Sequence, residues 1–234
     1  PSWLSDYRTN LWDHWSAHDY IFGKDGTLVT QRPDFSGSRF LVNRTDTDKP
    51  TVSGETTRGY PAAHFVWSGG QEYVDTSPGV TIDGWTHYGV IKRKLLDSSL
   101  IGVHTWQGFG ALEIKSSNQN TLTFRAKDDD GAADSSLSTS NVDPTSWVAF
   151  VYSVSYSNQR HRVVLEDATG TTETLSATPA WTSTFDPSER RYRSFGGGSY
   201  WDGLDEYSGI IERELSNSAQ DGLLSDIVRV SQKL

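Results

Sequence analysis

Phe195-Gly196-Gly197-Gly198-Ser199-Tyr200-Trp201-Asp202-Gly203-Leu204-Asp205-Glu206-Tyr207-Ser208-Gly209-Ile210-Ile211-Glu212-Arg213-Glu214-Leu215-Ser216 is the stretch on which the reading of this chain turns. The glycines at 196 to 198 let the backbone turn where a side chain would clash. Trp201, Leu204, Ile210, Ile211 and Leu215 then give strands something to bury. Ser216 or Asn217 can cap a short helix after Leu215, with Gln220 placed three residues past Asn217.

Outward from this stretch the chain reads as β structure. Trp147-Val148-Ala149-Phe150-Val151-Tyr152-Ser153-Val154 is the longest apolar run, bounded by polar turns, and predicts a strand buried on both faces. Arg162 to Gly170 predicts its hairpin partner, and Thr172, Thr174 and Leu175 continue as an alternating strand. Val80 to Lys92, Leu100 to His104, Gly110 to Ile114 and Thr121 to Arg125 predict further strands at sandwich spacing. Residues 127 to 146 read as a polar loop, and Ile227-Val228-Arg229-Val230 as a last strand. Residues 19 to 61 are turn-rich and too long for a bare loop, so short strands are expected within them.

The closing stretch resembles the end of the laminin-G-like, concanavalin A-like sandwich: glycines, an aromatic-x-Gly-aliphatic-Asp-Glu strand, a second strand, then Leu-Ser and a short helix. The opening is similar to that of bacteriophage and bacterial members of the family. Asp34-Phe35-Ser36-Gly37-Ser38 is followed by Lys49-Pro50-Thr51, Gly59-Tyr60-Pro61-Ala62 and Gly69-Gly70-Gln71-Glu72-Tyr73. The Gly-Asp-Asp-Tyr form common in the last of these is replaced by Gly70-Gln71-Glu72-Tyr73. The resemblance spans residues 30 to 225 and implies an all-β, two-sheet antiparallel jelly-roll sandwich over residues 26–234.

Residues 1–25 form a separate segment in this reading. Trp3, Leu4, Tyr7, Leu11, Trp12 and Trp15 fit one face of a short N-terminal helix. Two uses are open for that face: covering an edge of its own sandwich, or assembly with a partner protein or a second copy.

Composition narrows the function classes. The 234 residues carry a net charge of −9, which disfavours nucleic acid and acidic membranes as partners. No cysteine is present, so disulfide scaffolds and thiolate metal sites are excluded. Asp6, Arg8, Asp13 and Asp19 interrupt any apolar leader core, and Pro1 in a chain without Met fits removal of an initiator, although an excised domain of a larger protein would look the same. The expectation is a protein made and kept in the cytoplasm, or, for a phage, carried from the host cytoplasm into the virion.

Catalytic patterns are sought and not met. A retaining glycosidase needs two carboxyls about 5 Å apart on one cleft-facing surface. Asp202, Asp205, Glu206, Glu212 and Glu214 offer acids, with Glu212 and Glu214 on one face of an extended chain, but no Glu-x-Asp-x-Glu occurs. The Gln-x-His pattern of alginate lyases is absent, and His64 and His87 read as single core histidines. No nucleophile elbow and no phosphate-binding loop is found.

Two binding chemistries are left. Asp128, Asp130 and Asp134 are a candidate for a loose structural calcium site, the other reading being a solvated acidic loop; no cofactor is otherwise required. Trp106, Trp181, Tyr200 and Trp201 lie near turns and are candidates for stacking on sugar rings, the other reading being core packing. The sequence reading is therefore a non-enzymatic virion component: a phage head decoration, head spike or tail-associated protein. It would display a lectin-like sandwich to cell-surface polysaccharide, with capsid or tail proteins or its own copies as partners. The alternatives are a carbohydrate-binding module of a cellular protein, or a polysaccharide-cleaving glycosidase or lyase.

Overall fold

The computed structural model describes residues 11–16, 21–22, 29–33, 40–42, 51–53, 62–65, 73–75, 83–93, 101–107, 112–118, 121–128, 134–182, 191–194, 203–211 and 213–232. In chain order its elements are β1 (Leu11–Ser16), β2 (Ile21–Phe22), β3 (Val29–Pro33), β4 (Phe40–Val42), β5 (Thr51–Ser53), β6 (Ala62–Phe65), β7 (Tyr73–Asp75), β8 (Gly84–Arg93), β9 (Ile101–Gln107), β10 (Leu112–Asn118), β11 (Thr121–Lys127), β12 (Asp134–Ser138), β13 (Val148–Ser155), β14 (Arg160–Asp167), β15 (Thr172–Ala177), β16 (Arg191–Ser194), β17 (Gly203–Ile211) and α1 (Asn217–Gln232). Among the described residues no helix is long and apolar enough to cross a membrane.

The strands form two antiparallel sheets. The first runs β15-β14-β13-β8-β17-β6-β5, and β1 adds to it by pairing with β17. The second runs β12-β11-β10-β9-β16-β7-β4-β3-β2. Central neighbours such as β8 and β17, or β9 and β16, are far apart in the chain, as in a jelly roll rather than a meander.

Strand alternation builds the core. Trp85, Phe150 and Tyr152 leave one face of the first sheet and meet Phe124 of β11 across the sandwich. Phe124 stands 5.8 Å from Phe150 and 5.3 Å from Tyr152 by ring centroids, and Trp85 meets Tyr152 edge-on at 5.0 Å. The alternate residues Tyr88, Val90, Ala149, Val151 and Val164 leave the other face and are covered by Leu223, Leu224 and Ile227 of α1. The first sheet is thus the middle of three layers. This is why β13 is buried along its whole length, as its sequence predicts.

A buried polar node seats the start of the helix. Thr86 Oγ1 and Ser153 Oγ lie 2.7 Å apart, and both accept from the Leu215 backbone N–H at 3.2 Å. Two carboxylates fasten the sandwich's end. Glu173 of β15 accepts from the backbone N–H groups of Ser140, Asn141 and Val142. Asp167 accepts from those of Asp143, Thr169 and Thr171.

Four expectations are corrected. The helical face expected through Leu11, Trp12 and Trp15 is strand β1, paired antiparallel with β17; residues 1–10, with Trp3, Leu4 and Tyr7, lie outside the described residues. A short helix is marginal in water, whereas the open edge of β17 satisfies a strand's backbone. Within the closing stretch, where a hairpin is expected, Gly203–Ile211 form one strand, β17, with a bulge against β8 between Asp205 and Tyr207; residues 195–202 lie outside the described residues. The polar loop at 127–146 contains β12, held to β11 over Asp134–Ser138. Ile227 to Val230 belong to α1, because Gln220, Leu223, Leu224, Ile227 and Ser231 recur at helical spacing on the buried side. The helix after Leu215 is present, at 16 residues longer than expected.

Candidate functional site

The site grows out of two neighbouring elements. Along β14 the period of two turns His161 into the sandwich and Arg160 and Arg162 to the side on which α1 lies. Ser216 caps α1: its Oγ accepts from the Ala219 N–H at 3.3 Å and its carbonyl from the Gln220 N–H at 2.9 Å. Between the beginning of α1 and the end of β15 lies a half-open cleft of about 410 Å³, lined by Arg160, His161 and Arg162 of β14, by Ser176, Ala177 and Thr178, and by Asn217.

Each guanidinium is held in place. Arg160 pairs with Glu214 Oε1 at 2.6 Å and donates to Asn217 Oδ1 at 2.6 Å. Glu214 is itself steadied by Asn158 Nδ2 at 3.1 Å. Gly84 permits this placement, since a Cβ there would stand 2.9 Å from the Val154 carbonyl oxygen and 3.1 Å from the Glu214 nitrogen. Arg162 donates to Gln220 Oε1 at 2.9 Å and pairs with Asp221 Oδ1 at 2.7 Å, and its side chain is only 11% exposed. Five N–H groups belong to each guanidinium. The Nε–H of both makes no hydrogen bond among the described residues, and neither do the hydroxyls of Ser176 and Thr178.

Behind the cleft, on the inner face, the polar groups are sealed. His161 Nδ1 is 2.6 Å from Ser135 Oγ, and burial holds the imidazole down to about 3, against the raising influence of Asp134. His87 is likewise pushed down to about 3 by burial. Both rings are neutral at physiological pH and serve packing.

The sequence candidates fall in different places. Trp181 is in the core, with its ring 4.7 Å from Tyr156 and 6.3 Å from His161. Trp106 lies in β9 opposite Tyr192 of β16, and Tyr200 and Trp201 lie outside the described residues. Asp134 forms a forked ion pair with Arg125, while Asp128 Oδ2 accepts from the Thr182 N–H at 3.0 Å. Asp130 lies outside the described residues. No group of three metal-ligating side chains converges among the described residues. Of the acidic candidates, Glu214 backs Arg160, Asp205 sits in β17 between β8 and β6, and Glu212 lies outside the described residues. The arginine cleft was not anticipated, although Arg160-His161-Arg162 carries its signal: two cations at the period that puts both on one face of a strand.

No protein-family model and no curated protein sequence matches the chain. Solved structures do. The binding domain of Paraclostridial Mosquitocidal Protein 1 superposes with a TM-score of 0.68 at 12% identity, covering 94% of this chain and 53% of that one. The ligand binding domain of botulinum neurotoxin serotype D, in complex with N-acetylneuraminic acid, gives 0.66 at 10% identity, covering 96% and 53%. The two-sheet antiparallel sandwich is the fold that this chain shares with these two binding domains. Domain 4 of AbnA, an extracellular arabinanase from Geobacillus stearothermophilus, in complex with arabinotriose, gives 0.56 at 13% identity, covering 93% and 98%. The chain spans about half the length of the two toxin structures and nearly all of the arabinanase domain.

Proposed function

We propose that the chain is a non-catalytic carbohydrate-binding module, and that the cleft between β14, β15 and α1 is its sugar site. The observation that carries this reading is the cleft itself: a concave space of about 410 Å³, within the size range of small-ligand sites, lined by polar groups with unused hydrogen-bonding capacity. The fold supports it. An arabinanase domain of almost the same extent is seen with arabinotriose, and a longer toxin structure with N-acetylneuraminic acid. The aromatic candidates Trp106, Tyr200 and Trp201 offer a competing platform within the same function.

A glycan array followed by calorimetry on the whole chain tests the reading. Binding is expected for at least one glycan class. Ser176→Tyr, which fills the mouth of the cleft from an exposed strand position, is expected to abolish it. Binding that survives Ser176→Tyr but is lost on Ala substitution at Trp106, Tyr200 and Trp201 moves the site to the aromatics. An array with no binder sinks the proposal.

A virion role is the second reading. It rests on the phage-like order of residues 34 to 74, and it places the same sandwich on a head or tail with capsid or tail proteins as partners. Co-sedimentation with particles would support it, and a reading frame set among hydrolase genes would count against it.

A further inference from the structure

We propose that the cleft selects sugars bearing a carboxylate, such as uronic or sialic-type residues, over neutral ones. This deepens the carbohydrate-binding reading and rests on it.

Among the described residues the charged side chains of the lining, Arg160 and Arg162, are donors only. Arg160 and Arg162 present guanidiniums; the Asn217 amide oxygen is already taken by Arg160, which leaves its NH2 as the free end. Ser176 and Thr178 add hydroxyls. Among the described residues no carboxylate lines the cleft; Glu214 and Asp221, which pair with Arg160 and Arg162, are not part of its wall. The first turn of α1, which begins at Asn217 on the cleft wall, carries no acidic residue, so no side chain there opposes an anion. A neutral sugar can meet the hydroxyls of Ser176 and Thr178 but brings no charge to the two guanidiniums. A carboxylate offers only acceptors and fits a guanidinium fork in plane.

The setting makes the arrangement specific. The chain is acidic, at −9, so two arginines on one side of one strand stand out from the general field. Arg162 is the more deeply held, gripped by Gln220 and Asp221, so its orientation is fixed before a ligand arrives. Arg160, 40% exposed, stands nearer the mouth. In this arrangement Arg162 takes the carboxylate, while the hydroxyls of Ser176 and Thr178 take the ring.

Matched ligand pairs test this. Calorimetry would compare tetragalacturonate with its methyl ester, and sialyllactose with lactose, using the full chain. The acidic member of at least one pair is expected to bind about tenfold or more tightly than the neutral one, with the gap narrowing in high salt. Arg162→Gln is expected to remove that preference, and Ser176→Tyr all binding; thermal melts establish that both variants fold. Equal affinity within both pairs overturns the proposal and leaves the carbohydrate-binding reading in place. Acid-selective binding that survives Ser176→Tyr places the selectivity elsewhere and also overturns it. No binding by any of the four, with neutral binders found on the array, overturns only the selectivity; an empty array overturns both.

Discussion

Asp167 shows what one carboxylate does for the end of the sandwich. Burial alone would raise its pKa, but the hydrogen bonds from Thr169, Asp143 and Thr171 outweigh this and hold it below the ordinary Asp range. A depressed carboxylate pKa stabilises the fold above the unfolded value, and the contribution is lost as pH falls through the folded value. Asp167→Ala leaves several partly buried donors without their acceptor and is expected to cost about 1–2 kcal/mol at pH 7. Urea unfolding at neutral and acid pH checks it: the deficit relative to the parent protein should shrink as the pH is lowered. A deficit that is constant with pH would show that packing, not charge, is responsible. The same kind of reasoning explains why the candidate site was only half legible. The alternation of Arg160, His161 and Arg162 is visible in the sequence, but nothing near them in the chain announces that Asn217 and Gln220 will close over them. A cleft made by residues far apart in sequence is set by packing that local pattern does not encode.

At the level of elements, legibility followed the strength of the local pattern. β13 carries an unbroken apolar run and was readable because both of its faces are covered. The cap of α1 was readable because Ser216 directly follows the last apolar residue, Leu215, and its hydroxyl meets the Ala219 N–H. β12 was not, since Asp134-Ser135-Ser136-Leu137-Ser138 offers one large apolar side chain and is held mainly by its ladder to β11. Ile227 to Val230 misled because β-branched residues suit strands, yet tertiary contact with the middle sheet selects the helical stripe. Ser216→Ala is expected to lower stability by about 1 kcal/mol through loss of the cap. Leu223→Ala, at a fully buried position under the sheet, should cost about 2–5 kcal/mol. Denaturant midpoints measure both, and the ordering matters: a larger loss from the cap than from Leu223 would contradict the three-layer account.

For the whole molecule, the N-terminal strand tests the relation between architecture and assembly. β17 is flanked on one side by β8 along its length, and on the other by β6 near its start and β1 near its end. Deleting residues 1–18 removes β1 and uncovers the latter half of that edge. The shortened chain is expected to melt lower and to aggregate, because an open strand edge pairs with other chains. Size-exclusion chromatography with a thermal melt checks this. A shortened chain that stays folded and monomeric but no longer self-associates or binds a partner would favour the assembly use of the segment instead. The pairing also has a consequence in time. Leu11 and Ile211 are partners, so β1 must wait for β17, the last strand described, before it has that neighbour. Contacts of such sequence separation form slowly, and until they do β1, with Trp12 and Trp15, lacks the sheet edge it pairs with. Synthesis rate and chaperone supply, more than equilibrium stability, should then govern how much of this protein reaches its folded form in a cell.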